Sequence, residues 1–338
     1  MSQHLGHPPN AQTAVEPYTP PPAPSTAHLD GVSYLFGYPI AHSLSPLLHS
    51  TVYSTLGLNY EYKLYESRSI ESCLALTKSP KFYGAAVTMP HKVAIIPYLS
   101  QLTPAGTAIG AVNTIFLRPG PTASSPPQLC GTNTDCIGIR EAILQNTSPA
   151  QRALIPGRPG MVIGGGGTCR AAVYALKHFL GCGDVYLVNR DRAEVEAVMA
   201  DCREKGLGQG LRYVGSVEEA RGLASPRVVV SAIPDFEPST ESERVARAVV
   251  EVLLGKEGGE GEKGALLEMC YHPNPNTAIA RLAQRNGWTL IGGVEAMIWQ
   301  GLEQDRIWLG RDELGPAVVR DVRRVFGGEA KREEKARL

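Results

Sequence analysis

The sequence predicts an α/β protein in two parts, an N-terminal α/β substrate domain and a Rossmann-like, doubly wound nucleotide-binding domain, with a cleft between them. Three observations predict it. The chain has 338 residues, more than one hydrophobic core supports, since single cores stop growing near about 250 to 300 residues. Short apolar strands alternate with helical stretches along most of its length, the pattern of sheets joined by crossover helices. At Gly164 four consecutive glycines stand between an apolar strand and a helix, the context of a phosphate-binding turn.

Taken in order, residues 1–30 carry seven prolines among Ala, Thr and Ser, too few large apolar groups to offset the entropy of ordering, and are expected to form a disordered tail. Residues 31–137 form the first domain. Within it Ser45-Pro46 starts a helix, Ser as N-cap and Pro at the first helical position, and Leu48, Val52 and Leu56 follow at i+4 spacing until Gly57 ends it. Residues 42–45 then lie in a strand-to-helix turn. Residues 119–129 (PGPTASSPPQL) read as a surface loop, and Gly131 to Gly138 lead into another helix. A second domain over 150–290 opens with the strand Met161-Val162-Ile163, the glycines, a helix through Ala171 to Leu180 and the strand Val185 to Val188. Further strands are expected at Val228 to Ile233 and Ala265 to Cys270, a helix at Glu241 to Leu254, and a charged Gly-rich loop over 255–264. Helices over about 294–326 complete the first domain, and 327–338 form a charged tail.

Composition narrows the function. Lys plus Arg and Asp plus Glu number 33 each, for a formal net charge of zero, so no global field draws nucleic acid or an anionic membrane. A small molecule is the expected partner, bound by a monomer or homodimer. Seven cysteines lie scattered without a C-x-x-C pair or the His spacing of a zinc site, which reads as reduced thiols and no metal. No apolar run approaches the roughly 18 residues of a membrane helix, and the N-terminus lacks the pattern of a secretory signal. The expected location is therefore cytoplasmic; Ala336-Arg337-Leu338 repeats the small-basic-Leu chemistry of a peroxisomal address, which gives the alternative.

Two motifs point to a dinucleotide. The run Gly164-Gly165-Gly166-Gly167-Thr168 opens a helix whose N-terminus, with free N–H groups, favours a pyrophosphate. After the next strand comes Asn189-Arg190-Asp191-Arg192, where an acid suits the ribose hydroxyls of NAD and an arginine the 2′-phosphate of NADP. Both residue types are present, so NAD and NADP both remain open here.

Six segments in order, Gly37 to Pro46 (GYPIAHSLSP), Val87 to Lys92 (VTMPHK), Gly110 to Thr114 (GAVNT), Asn133-Thr-Asp135, Gly164 to Ala171, and Gly293 to Gln300 (GVEAMIWQ) with Trp308-Leu-Gly310, resemble the shikimate/quinate dehydrogenase family over about residues 31–326. The resemblance implies that Lys92 takes or returns the proton of a ring hydroxyl and that Asp135 binds this hydroxyl and steadies Lys92. Hydride transfer from an alcohol needs such a group, since the O–H proton must also leave. It implies Ser43 and Ser45 on the substrate carboxylate, Thr88, Asn113 and Gln300 on ring hydroxyls, Tyr271 beside the cleft, and Gly293 beside the cofactor. Departures are Ala86, where many members carry Asn, Tyr38 in place of the Asn of G-N-P, and Asp191 in place of the Thr of N-R-T. These, with VTMPHK and LVNRD, are most similar to fungal NAD-dependent quinate dehydrogenases. The implied function is reversible oxidation of quinate, or shikimate, to the 3-dehydro ketone. An NADP-dependent shikimate dehydrogenase of aromatic biosynthesis and a non-catalytic metabolite sensor are the alternatives. Lys92 and Asp135 together argue against the sensor.

Overall fold

A computed structural model describes residues 19–256, 263–272 and 274–336, with side chains to residue 327. Two six-stranded sheets divide the chain. The first contains β1 (Gly31–Gly37), β2 (Tyr60–Glu66), β3 (Phe82–Val87), β4 (Gln101–Leu102), β5 (Thr114–Arg118) and β6 (Gln128–Thr132) in the order β2-β1-β3-β5-β6-β4. β1 is parallel to β2 and β3, whereas β5 runs antiparallel to β3 and β6. Every residue of β1 (GVSYLFG) is buried, as expected of a central strand covered on both faces.

The second sheet contains β7 (Gly160–Ile163), β8 (Val185–Val188), β9 (Leu211–Tyr213), β10 (Val228–Ser231), β11 (Ala265–Glu268) and β12 (Thr289–Gly292), all parallel, in the order β12-β11-β10-β7-β8-β9. Strand order reverses between β10 and β7. Such a switch point leaves a crevice beyond the carboxyl ends of the strands, where α/β sheets bind ligands. β10 and β11 each end two residues earlier than their apolar runs suggest. After β11, Glu268 turns the chain by accepting from Cys270 N at 3.1 Å and Thr277 Oγ1 at 2.7 Å.

The helix Gly293–Trp308 leaves the end of β12 and crosses back to the first sheet. It lies against the helix Asp135–Gln145 so closely that a Cβ on Gly138 would stand 2.4 Å from Ala296 O and 2.9 Å from Gln300 Cβ. At its far end Trp308 Nε1 donates to Ile115 O at 2.9 Å, and its indole covers Gly84 of β3. The helix Pro316–Ala336 then packs Val318, Val322 and Phe326 into the same core as Leu48 and Val52.

Three expectations change. Residues 1–18 of the expected tail lie outside the described residues, but residues 19–30 are placed: Tyr65 Oη donates to Pro21 O at 3.0 Å, and Leu29 is buried. The last helix continues past residue 326 to Ala336, because EAKREEKA is made of strong helix formers. Residues 337 and 338 of the terminal tripeptide, and 257–262 of the expected charged loop, lie outside the described residues. The helix Ser45–Thr55 has Leu44 at its N-cap, so Ser45 is the first helical residue, and its N–H is met by Ser43 Oγ at 3.2 Å. Among the described residues no helix is long and apolar enough to cross a membrane.

Gly138→Ala should force the two crossing helices apart. We expect a loss of about 1–3 kcal/mol, the usual cost of overpacking a close contact, read as a lower urea midpoint at unchanged slope.

Candidate active site

β1 ends in the turn that carries Ser43 and Ser45; β3 ends in the turn that carries Thr88 and Lys92. The two turns are tied together by Tyr38 N to Met89 O at 2.9 Å and Thr88 N to Phe36 O at 2.8 Å. Gly37 is required there, since a Cβ would meet Thr88 Cγ2 at 2.3 Å. A short helix His91–Ala94 follows, its ring His91 Nε2 held 2.7 Å from Ser67 O, so Lys92 leaves a fixed backbone. β6 ends at Thr132, and the next turn places Asp135 at the start of its helix, with Asp135 N donating to Asn133 Oδ1 at 3.0 Å.

These turns converge. Lys92 Nζ donates to Asp135 Oδ2 at 2.5 Å, with the two side chains only 16% and 15% exposed. The other carboxylate oxygen, Oδ1, accepts from Asn113 Nδ2 at 2.7 Å. Asn113 is fixed in turn, its Oδ1 accepting from Thr134 N at 2.7 Å and Thr114 Oγ1 at 2.8 Å. Gln300 Oε1 takes weaker bonds of 3.3 Å from Asn113 Nδ2 and Thr134 Oγ1. Asp135 is thus held on both oxygens. A carboxylate so held, beside a lysine at a cleft, can share and relay a proton with a hydroxyl brought to it.

A cleft with about 300 Å³ of free space surrounds this pair, within the range of small-molecule sites. Lys92, Asp135, Ser43, Ser45, Thr88, Asn113, Tyr271 and Gln300 all line it. Ser43 and Ser45 stand at the amino end of the helix Ser45–Thr55, where the exposed N–H groups favour an anion. Tyr271, from the turn after β11, closes the opposite wall; burial pushes its phenol up, reinforced by Asp135 and Cys270. Ala86 also lines the cleft, so this position supplies no polar contact. Gln304, four residues and one helical turn beyond Gln300, lines it as well and donates to Thr114 Oγ1 at 3.0 Å. That i+4 spacing was the available signal for it. His42 lines the rim and stacks on His272 at 4.8 Å.

A second hollow, of about 200 Å³, opens at the switch point of the other sheet beside Gly164, Gly165 and Gly166. Gly164 has φ +129°, a conformation that excludes side chains, and the helix Gly167–Tyr174 begins at the hollow's edge. This arrangement fits a dinucleotide: close backbone approach, a helix amino end for the pyrophosphate, and an apolar wall of Ile163, Ile233, Phe236 and Ile279. Asn189 and Arg190 line the hollow with Glu194, Glu243 and Arg247. Asp191 does not. Its Oδ1 accepts from Ala193 N at 2.9 Å and Glu194 N at 3.2 Å, capping the helix Arg192–Glu204. Thr168 and Gly293, expected beside the cofactor, line the first cleft instead, and Gly167 lines neither. The first turn of the Gly167–Tyr174 helix therefore lies between the two hollows, with the glycine loop facing one and Thr168 the other. Gly293 must lack a side chain, because a Cβ would sit 2.4 Å from Met269 O. Among the described residues no three His, Cys, Asp or Glu are grouped to hold a metal ion.

Residues 35–115 match the shikimate dehydrogenase substrate binding domain. The chain is 45% identical over 306 residues to the quinate dehydrogenase of Emericella nidulans, covering 87% of this chain and 92% of that one. Among solved structures, the dehydroquinate dehydratase and shikimate dehydrogenase from S. pombe AroM superposes with a TM-score of 0.69 at 32% identity, over 86% of this chain and 52% of that one. The shikimate 5-dehydrogenase from Thermus thermophilus in complex with NADP(H) and shikimate does so with a TM-score of 0.66 at 27% identity, over 87% and 99%. With that extent of identity along nearly its whole length, the chain belongs to the shikimate/quinate dehydrogenase family.

Proposed function

We propose that this protein oxidises a ring hydroxyl of quinate, and more slowly of shikimate, to the 3-dehydro ketone, reversibly and with NAD rather than NADP. The observation that carries the reading is the Asn113–Asp135–Lys92 chain at the floor of a cleft whose other wall offers two serines at a helix amino end. A polyhydroxylated ring acid needs both kinds of contact: an anion site for its carboxylate and several neutral donors and acceptors for its hydroxyls. The 45% identity to a protein named quinate dehydrogenase supports quinate over shikimate.

Ser43 and Ser45 bind the carboxylate in this scheme, and Thr88, Asn113, Tyr271 and Gln300 orient the ring. Lys92 takes the hydroxyl proton as the C–H bond breaks, and returns it during reduction of the ketone. Asp135 stands beside the same hydroxyl and, through its bond to Asn113, keeps Lys92 aimed at it. Gly164 to Gly167 would cradle the pyrophosphate of a nicotinamide dinucleotide, and Thr168 and Gly293 would flank its reactive end in the substrate cleft. Bound there, the nicotinamide supplies the hydride acceptor. Seven free cysteines, six of them buried, support a reducing compartment, the cytoplasm or a peroxisome.

Nicotinamide absorbance with quinate or shikimate against NAD⁺ or NADP⁺ tests the reading. NAD⁺ reduction should be fastest with quinate; activity confined to shikimate and NADP⁺ would make the protein a biosynthetic reductase instead. Silence in all four assays despite ligand binding would make it a sensor.

Lys92→Ala should reduce kcat by about two to four orders of magnitude, the usual contribution of a positioned acid–base group. Substrate affinity, measured by calorimetry, should change far less. An unaltered kcat would remove Lys92 from the proton path. Asp135→Asn should lower kcat and raise KM together, since it removes the negative charge that pairs with Lys92 and leaves only a weaker, neutral acceptor at the ring hydroxyl.

A further inference from the structure

The adenosine end of the nucleotide hollow departs from the arrangement of simple βαβ dinucleotide folds, in which the acid for the ribose diol stands at the end of the second strand, about 20 residues beyond the glycine loop. Here β8 ends at Val188 and the next residue is the neutral Asn189. Asp191 turns its Oδ1 to the amides of its own helix and does not line the hollow. The carboxylate that reaches the place is Glu194, from the first turn of the helix Arg192–Glu204. Its Oε2 accepts from Asn189 Nδ2 at 2.6 Å. A Cβ built on Gly165 would stand 2.5 Å from Glu194 Cδ, 2.6 Å from its Oε2 and 2.4 Å from Asn189 Nδ2. Glu194 thus lies against the second glycine of the loop, in the wall between loop and strand end.

We propose that Glu194, and not Asp191, accepts the hydroxyls of the adenosine ribose and makes this protein select NAD over NADP. The inference rests on the dinucleotide reading of the hollow. Among the described residues only Oε2 of Glu194 is hydrogen-bonded, which leaves Oε1 for a ribose hydroxyl. A 2′-phosphate in that position would bring two like charges into contact.

The basic residues nearby do not relieve that repulsion. Arg190 Nη1 bonds Glu243 Oε1, and its guanidinium lies 5.5 Å from the centre of the Phe236 ring. Glu243 is itself anchored, its Oε2 accepting from Ser239 N at 2.8 Å, Ser239 Oγ at 2.9 Å and Thr240 N at 2.9 Å. The backbone amides of Thr240 and Ser239, then the Ser239 hydroxyl and Arg190, hold its carboxyl down at about 2. Glu243 is therefore an anion throughout the working pH range, and Arg190 is already engaged. Arg192 pairs with Glu196 at 2.7 Å beside a different surface groove. Arg247 is the lining cation of the hollow for which no ion pair forms among the described residues, and it stands on the helix of Glu243, not at the strand end.

Titration of the purified full chain with NADH and NADPH, followed by nicotinamide fluorescence, tests the assignment independently of turnover. The unsubstituted chain should bind NADH more tightly. Glu194→Gln should weaken NADH and shift the ratio of the two dissociation constants toward NADPH by about tenfold or more, as expected for loss of a charged acceptor. Asp191→Asn should leave that ratio unchanged. An unaltered ratio in a folded Glu194→Gln, or a shift in Asp191→Asn of the size expected for Glu194, would overturn the proposal. Binding of neither nucleotide to the unsubstituted chain would overturn the dinucleotide reading and this assignment with it.

Discussion

The crossing of the helix Gly293–Trp308 over the helix Asp135–Gln145 is the contact on which the cleft depends. One helix begins at the end of β12 in the second sheet, and the other begins at Asp135, the partner of Lys92, in the first. Their closest approach, Gly138 against Ala296 O and Gln300 Cβ, is two backbones in contact with no side chain between. Interiors packed to that density transmit displacement and do not absorb it. The separation of Asp135 from Gln300 is therefore set by a contact one helical turn away, and the two sheets share one geometry at the cleft floor.

The far wall is anchored by buried polar groups. His49, one turn below Ser45, places Nδ1 2.9 Å from Asp305 Oδ2, on the helix of Gln300, with neither side chain exposed. Its ring stacks on Tyr62 at 4.1 Å. Burial pushes the Asp305 carboxyl up, and the charge and hydrogen bond of His49 oppose that shift. A buried carboxyl is costly unless it is paired, so this partnership fixes the distance between the helix that begins at Ser45 and the helix that carries Gln300 and Gln304. Apolar packing alone would tolerate a slide of one helix past the other. A directional bond does not.

Much of this was legible in the sequence, for identifiable reasons. The buried strands β1, β7, β8, β10 and β11 are nearly unbroken apolar runs, and the glycines at 164–167 mark the turn after β7 without ambiguity. The residues named for the cleft come from six segments spread between residues 43 and 300, and most of them line one hollow because they stand next to a strand end or a helix start, whereas Gln300 reaches it from the middle of the crossing helix. What could not be read was the direction in which particular side chains turn. Asp191-Arg-Ala-Glu194 has the spacing of a capping box. Its first member does cap the helix, but its last turns to Asn189 instead of back to the N-cap amide. Ser43 and Ser45 show the same limit, since the residue that meets the first helical N–H differs by two positions from the one that spacing suggests. Gln304 was marked only by its i+4 spacing from Gln300, since a glutamine on a buried helix face belongs to no motif of its own.

The first turn of the Gly167–Tyr174 helix explains why two hollows so different in character can serve one reaction. The nucleotide hollow is walled by valine, isoleucine and phenylalanine and presents its charges at Arg190, Glu194, Glu243 and Arg247. The substrate cleft is lined by serine, threonine, asparagine and glutamine around one lysine and one aspartate. A cofactor must expose its reactive ring to the second environment while its adenosine stays in the first. That requires the chain between them to be thin. Gly164 to Gly167 supply a wall without side chains, and at the position where side chains resume, Thr168 already faces the substrate cleft. The same economy acts at Gly293, where the crossing helix starts against Met269 O with no room for a Cβ. Glycine at both places keeps the wall between the two hollows to backbone alone, while side chains gather at the two ends, Glu194 in one hollow and Ser43 and Ser45 in the other.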